Sequence, residues 1–352
     1  MTLSLCMIVK NEENNISRCL SSVKNIFDEI IIVDTGSKDN TKKIVEKFTD
    51  KIYDFNWVND FSKARNYAFS KATGDYLMWL DADDILTSED ALKLKKLKEN
   101  LNSEIDIYLL KYNISFDEEN NPTFSYYRER IIKNDKKHYF LDRVHEYVPL
   151  IGKLSYEDIA ITHSKIEVEK SNRNLKIYEE MIKENELFTP RNKYYYGREL
   201  FEHQKYKKCI KVLNEFLDEG LGWIEDNINA CVLIYYSNLN LQTTNSLKSL
   251  FQTFEYDLPR KKICCLIGEY YFKIKNYENA IYWYNSALMT KIVKDGFYEE
   301  DYDYFIPYLN LCLCHYRLNE LELAKKYHSL CKKIKPNSSI VLYNNQFFEE
   351  IE

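Results

Sequence analysis

The first half of the chain alternates short apolar runs with helical periodicity. Residues 3–9 (Leu-Ser-Leu-Cys-Met-Ile-Val) and 29–33 (Glu-Ile-Ile-Ile-Val) are near-continuous apolar stretches bounded by polar residues. Such runs mark strands buried on both faces of a sheet. Between them Ile16, Cys19, Leu20 and Val23 fall on one helical face. Ile44, Val45 and Phe48 mark a second helix that Asp39 can cap, residues 61–71 a third, and residues 75–80 a further buried strand. Strand–helix alternation predicts a parallel sheet, with ligands bound beyond the carboxyl ends of its strands. Lys10, Asn11, Glu12, Asp34 and Asp81 all fall at such ends. Residues 105–114, 123–133, 144–149 and 159–163 read as later strands in a more antiparallel setting.

From about residue 168 the strand signal stops, and a tyrosine-rich helical pattern takes over. Pairs of small residues twelve positions apart recur at Gly197 and Cys209, Gly268 and Ala280, and Cys312 and Ala324. An apolar residue precedes each first member (Tyr196, Ile267, Leu311), and another stands three before each second member (Tyr206, Tyr277, Leu321). Pro336 follows the last unit. The pattern resembles the tetratricopeptide repeat, in which small residues let paired helices approach closely. A divergent unit is expected between Asn227 and Phe254, and an insertion around residues 295–303. The expected division is an α/β domain at 1–168 and an all-α repeat domain at 169–352.

The apolar run at 75–80 stops in Asp81-Ala82-Asp83-Asp84. Residues i and i+2 of an extended strand point to the same side, so Asp81 and Asp83 can grip one divalent cation or its ligands. Oxygen-ligated Mg or Mn commonly takes one or two protein carboxylates and fills its remaining positions with substrate phosphates. An acid-Ala-acid triplet alone is also an ordinary solvated turn. The neighbouring motifs decide between the two.

Those motifs are Cys6-Met7-Ile8-Val9-Lys10-Asn11-Glu12-Glu13, Ile31-Ile32-Val33-Asp34-Thr35-Gly36-Ser37-Lys38-Asp39-Asn40-Thr41, Asn59-Asp60-Phe61-Ser62-Lys63-Ala64-Arg65-Asn66, and Trp79-Leu80-Asp81-Ala82-Asp83-Asp84. Their order and spacing resemble family 2 of the inverting glycosyltransferases, with the nucleotide-diphospho-sugar (GT-A) fold, over residues 3 to about 165. The resemblance implies that Asp34 accepts a hydrogen bond from uracil and that backbone near Val9 and Asn11 lines the base and ribose. Glu12 takes a polar role there or is simply solvated. Asp81 and Ala82 meet the nucleotide sugar, and Asp81 and Asp83 the metal. Arg65 can brace the diphosphate, its alternative being an ion pair with Asp60. Arg143-Val144-His145-Glu146 resembles the His-Glu element of the family. Glu146 would then be the general base, unless it pairs structurally with Arg143 or Arg130. His163 would be a further metal ligand, and Arg128 and Arg130 would hold phosphate or position Glu146. His138, His203, His315 and His328 receive no chemical role.

Composition narrows the class further. The chain has 352 residues and a formal net charge of −6, with acidic and basic residues interspersed. Its length allows two domains, and its charge argues against a broad nucleic-acid surface. The nine cysteines are scattered without a CxxC pair, which predicts reduced, buried thiols in a cytoplasmic protein. No apolar run reaches membrane-spanning length, so no integral membrane segment is expected. Together with the repeats, the motifs resemble bacterial transferases that glycosylate peptides and proteins, including S-glycosyltransferases of the sublancin type. The resemblance implies a UDP-sugar donor, Mn2+ or Mg2+, and transfer of a hexose or N-acetylhexosamine to a Ser, Thr or Cys side chain. The repeat domain would hold the peptide or protein acceptor. An envelope transferase with a saccharide acceptor, and a noncatalytic repeat scaffold, are the alternatives.

Overall fold

A computed structural model describes residues 1–164, 171–243, 246–293 and 298–349. The chain forms two compact units, one of residues Met1–Ile114 and Ser125–Glu186, the other of Ser115–Phe124 and Leu187–Glu352. The expected junction at 168/169 lies outside the described residues. Among them, the helix Arg173–Lys183 goes with the first unit.

In chain order the first unit contains β1 (Leu3–Val9), α1 (Ile16–Ser22), β2 (Glu29–Asp34), α2 (Thr41–Val45), β3 (Ile52–Asp54), α3 (Phe61–Lys71), β4 (Tyr76–Trp79), β5 (Asp84–Ile85) and α4 (Ser88–Glu99). It continues with β6 (Ile107–Phe116), β7 (Pro122–Lys133), β8 (Leu154–His163) and α5 (Arg173–Lys183). The tip of the β6–β7 hairpin, residues 115–124, belongs to the second unit. The eight strands run in the order β3-β2-β1-β4-β7-β6-β8-β5.

The apolar runs explain the central strands. In β1, Leu3, Leu5, Met7 and Val9 pack with Ile16, Cys19 and Leu20 of α1 on one face of the sheet. Cys6 points the other way, toward Ile31, Val33, Ala68, Phe69 and Trp79. Burying a side chain of this size contributes about 1.5–3 kcal/mol, so a strand lined on both faces sits firmly in register. β1 pairs in parallel with both β2 and β4, matching Val9 to Asp34 and Cys6 to Trp79. The ends of these strands therefore lie side by side. Asp60 caps α3 by accepting from the Lys63 amide at 3.0 Å, an arrangement worth about 1 kcal/mol.

One expectation needs correction, one strand was not expected, and one pairing departs from its neighbours. β3 carries no legible pattern in its three residues, yet it adds an edge to β2. Residues 144–149 form no strand: His145 has φ +54°, which breaks an extended run, and only an isolated Leu141–Tyr147 bridge remains. The later strands are in the more antiparallel setting expected, with one parallel pair. β7 runs antiparallel to β4, whereas β8 runs parallel to β6 and antiparallel to β5.

The second unit is helical apart from the hairpin tip and the two-residue strand Tyr298–Glu299: α6 (Pro190–Glu202), α7 (Tyr206–Asp218), α8 (Ile224–Asn240), α9 (Ser246–Gln252), α10 (Lys261–Lys273), α11 (Tyr277–Met289), α12 (Phe305–Arg317), α13 (Leu321–Ile334) and α14 (Ser339–Glu349). The expected small-residue positions sit where paired helices touch. A Cβ on Gly197 would lie 2.2 Å from Leu213 Cδ2, and one on Gly268 would lie 2.9 Å from the Tyr284 ring. The divergent unit is α8 with α9. An α/β domain followed by paired helices is therefore the architecture. Among the described residues, no helix is long and apolar enough to cross a membrane.

Candidate active site

The strand ends build the floor of the site. Asp34, at the end of β2, is 1% exposed. Its Oδ1 accepts from the amides of Gly36 and Ser37, both at 2.8 Å, a turn that Gly36 permits at φ +104°. Its Oδ2 is buried without a hydrogen-bond partner. Val9 O accepts from the Thr35 amide at 2.9 Å. Asn11, itself at φ +55°, donates its amide to Ser37 Oγ at 2.9 Å and accepts from the Lys38 amide at 2.8 Å. The Glu12 amide donates to Thr41 Oγ1 at 2.7 Å, and the Glu12 side chain accepts from Asn15 at 2.9 Å. Asp39 accepts from the Thr41 and Glu13 amides, which stitches the two loops together.

Arg65 is the hub. It rises from α3 only 6% exposed. Its Nε donates to Glu146 Oε1 and its Nη2 to Asp81 Oδ1, each at 2.6 Å. Burial disfavours the guanidinium charge, but Asp81 and Glu146 outweigh that and raise its pKa. Burial likewise works against the Asp81 carboxylate, and the charges of Arg65 and Arg130 override it, holding that group down at about 2. The expected alternative partner of Arg65, Asp60, is engaged instead in capping and with Ser62 and Lys63. Nor does Glu146 pair with Arg143 or Arg130; its carboxylate is bound by Arg65.

Sequence reading missed the centre around which these charges are arranged. The buried Trp79 indole has the guanidinium carbons of Arg65, Arg128 and Arg130 at 4.5, 4.8 and 3.9 Å from its ring. Its Nε1 donates to Glu129 O at 2.6 Å. Stacked cations gain from the ring quadrupole, and nearby carboxylates balance them. Arg128 donates to Glu146 O at 3.2 Å and to Glu129 Oε1 at 3.4 Å. Arg130 pairs with Asp84 at 3.0 Å, both 0% exposed. The only signal for this core was the density of Arg and acid in residues 128–130 beside an aromatic strand.

A second cluster lies beyond β4. Asp83, Asp84 and His163 bring carboxylate and imidazole ligand atoms within 4.8 Å of one another. His163 Nδ1 stands 3.5 Å from Asp83 Oδ1 and 3.1 Å from the Tyr112 hydroxyl, which donates to Asp84 Oδ1 at 2.9 Å. Hydrogen bonding to Asp83 raises the His163 pKa against the effect of burial. Carboxylates plus an imidazole form a donor set suited to Mn or Mg. Asp83 and His163 come together as expected, joined by Asp84. Asp81 lies outside this cluster, facing Arg65. Ala82, between Asp81 and Asp83 in the chain, is buried in the core.

Residues 4–149 match Glycosyl transferase family 2. A stretch of 93 residues is 46% identical to a TPR repeat-containing protein of Synechococcus elongatus, covering 26% of this chain and 23% of that protein. Over 274 residues the chain is 28% identical to the SPbeta prophage-derived glycosyltransferase SunS of Bacillus subtilis, covering 74% of this chain and 64% of SunS. The matches thus span less than two thirds of either relative. Among solved structures, residues 1–349 of S. aureus TarS align over 85% of this chain and 96% of that one, at 15% identity and a TM-score of 0.38.

Proposed function

We propose, from the premise that residues 4–149 carry a family 2 glycosyltransferase domain, that this chain moves a hexose or N-acetylhexosamine from a UDP-sugar to a peptide or protein side chain with inversion. The observation that carries the reading is Arg65 joining Asp81 to Glu146, together with a buried, unpaired Asp34 oxygen at the end of β2. A buried acceptor without a donor is costly until a ligand supplies one. The imide N–H of uracil supplies it. Backbone around Val9 and Asn11 would line the nucleoside, with Glu12 at its polar rim. Arg65 keeps a buried Nη1 without a partner, a donor suited to the diphosphate.

Asp83 and His163, with Asp84 behind them, would hold a Mn or Mg ion. When bound, such an ion supplies charge neutralisation on the departing diphosphate. Glu146 takes the proton as the acceptor oxygen or sulfur attacks the anomeric carbon; the bond from that carbon to UDP breaks on the opposite face. Its Oε1 is held by Arg65, and its Oε2 makes no hydrogen bond among the described residues. The helical repeats would hold the acceptor chain.

The test is intact-mass measurement of Ser, Thr and Cys peptides incubated with a UDP-sugar panel and Mn. A mass gain of one sugar supports the reading. Transfer only to saccharides would make this an envelope-type enzyme. A chain that neither binds UDP nor consumes any UDP-sugar would be a scaffold.

A further inference from the structure

The loop that bears Glu146 has little secondary structure of its own. Two of its residues, Asp142 and His145, stand at φ +69° and +54°, a region that L side chains adopt at a cost. Something must hold it. Arg128 does so from the sheet side, through Glu146 O. The other support comes from α5, which lies beyond the family match and within the first unit.

The contacts are specific. Arg143 Nη2 donates to Glu184 Oε2 at 2.5 Å and also to Glu186 Oε1. The His145 ring stacks at 24° and 6.4 Å on Tyr178, which is fully buried. α5 also reaches the segment leading into the Arg65 helix. Asn59 Nδ2 donates to Glu180 Oε2 at 2.8 Å, and the Arg173 guanidinium sits 4.5 Å above the Phe61 ring. Phe61 closes the circuit, donating its amide to Arg143 O at 2.8 Å. The helix and the turn at its C-terminal end therefore grip both elements that carry the Arg65–Glu146 contact.

Resting on the transfer reading above, we propose that α5 and the turn that follows it, residues 184–186, form a positioning element for the general base, acting through Arg143 and its fork of Glu184 and Glu186. It touches neither nucleotide nor sugar. Its work is to fix where Glu146 stands against Arg65. Small misplacement of a catalytic group costs turnover steeply, up to about a hundredfold per ångström.

The test uses the full chain in four forms: wild type, Arg143→Gln, Glu184→Gln with Glu186→Gln, and all three changes together. Calorimetric affinity for UDP with Mn should stay within about twofold. kcat for a peptide acceptor should fall about tenfold in each variant, and the triple variant should be no worse than Arg143→Gln, because one linkage is cut in each. Arg143→Lys should recover part of the loss. Amide exchange across residues 143–147 should quicken in Arg143→Gln whether or not transfer is seen. Unchanged exchange there would overturn the inference, as would unchanged kcat, multiplying losses, or a parallel fall in UDP affinity. Failure of the transfer reading would look different: a wild-type chain that consumes no UDP-sugar.

Discussion

At the scale of single residues, the site is a balance of charges around one indole. Arg65 cannot leave Asp81 without also loosening Glu146, because both bonds come from one rigid fork. Glu146→Gln tests the proposed proton-transfer role of that fork's second partner. A serine hydroxyl is un-ionised at neutral pH, whereas a cysteine thiol with pKa about 8.5 already has a thiolate fraction. On a Ser peptide the substitution should cost roughly a hundredfold or more. On the Cys version the loss should be smaller and should shrink as pH rises from 6 to 9. Equal, pH-independent losses would leave Glu146 as an orienting group only. A different carboxylate governs acid stability. Glu29 sits at the opposite ends of the strands, 8% exposed. Burial opposes its charge, but hydrogen bonds from Lys51, Ser4 and the Thr73 amide overcome that and lower it from about 4.5 to about 2. A depressed carboxylate stabilises the fold above its unfolded pKa, and the benefit fades as pH falls through the folded one. Because Lys51 is 44% exposed and screened by water, the shift is worth only about 1–2 kcal/mol. Glu29→Gln should therefore lower the urea midpoint of the first unit at pH 7, and the gap to wild type should close between pH 4.5 and pH 2. A gap that stays constant with pH would refute the assignment.

At the scale of elements, what was readable rested on local pattern, and what was not rested on contacts distant in sequence or on a local turn of the backbone. Continuous apolar runs gave β1, β2 and β4, because strands covered on both faces must be apolar throughout. Acids at their ends then located Asp34, Asp81 and Asp83. β3 escaped because Ile52 and Tyr53 are only partly covered, Asp54 is exposed, and the three show no alternation. The loop at 144–149 misled because Val144 and Val148 are buried like strand residues while His145 turns the backbone between them. α5 was legible as a helix but not as part of the first unit, since its partners Asn59, Phe61 and Arg143 are far away in sequence. Asp84 was passed over because its role depends on Arg130, a contact between strands that no local pattern encodes. In the second unit the small residues were legible because close helix packing demands them at fixed spacing. Gly197→Ala tests this. The new methyl would fall 2.2 Å from Leu213 Cδ2, so the fully buried Leu213 would have to shift. Overpacking costs about 1–3 kcal/mol, against at most about 1 kcal/mol gained in helix propensity. The helical unit should melt several degrees lower, and an unchanged or raised Tm would show that Leu213 repacks freely.

At the scale of the molecule, two compact units imply two cooperative transitions. UDP with Mn should raise only the one that belongs to the first unit, by about 2.7 kcal/mol at a hundredfold excess over Kd. Calorimetry showing both transitions moving equally would place the nucleotide elsewhere or fuse the units energetically. The nine thiols offer an independent tally. All are free and buried; burial raises the pKa of Cys209 and Cys264 to about 11 and that of Cys331 to about 12. A thiol that is both hidden and protonated is slow to react with alkylating reagents. Two of the nine, Cys6 and Cys19, lie in the first unit, and the remaining seven in the second. Pulse alkylation during a urea titration should therefore give a mass ladder with a step of two and a step of seven, each step timing the opening of one unit. Under the proposed transfer to side-chain oxygen or sulfur, the same concealment withholds the chain's own cysteines from its own chemistry, and self-modified protein should be absent from the folded pool.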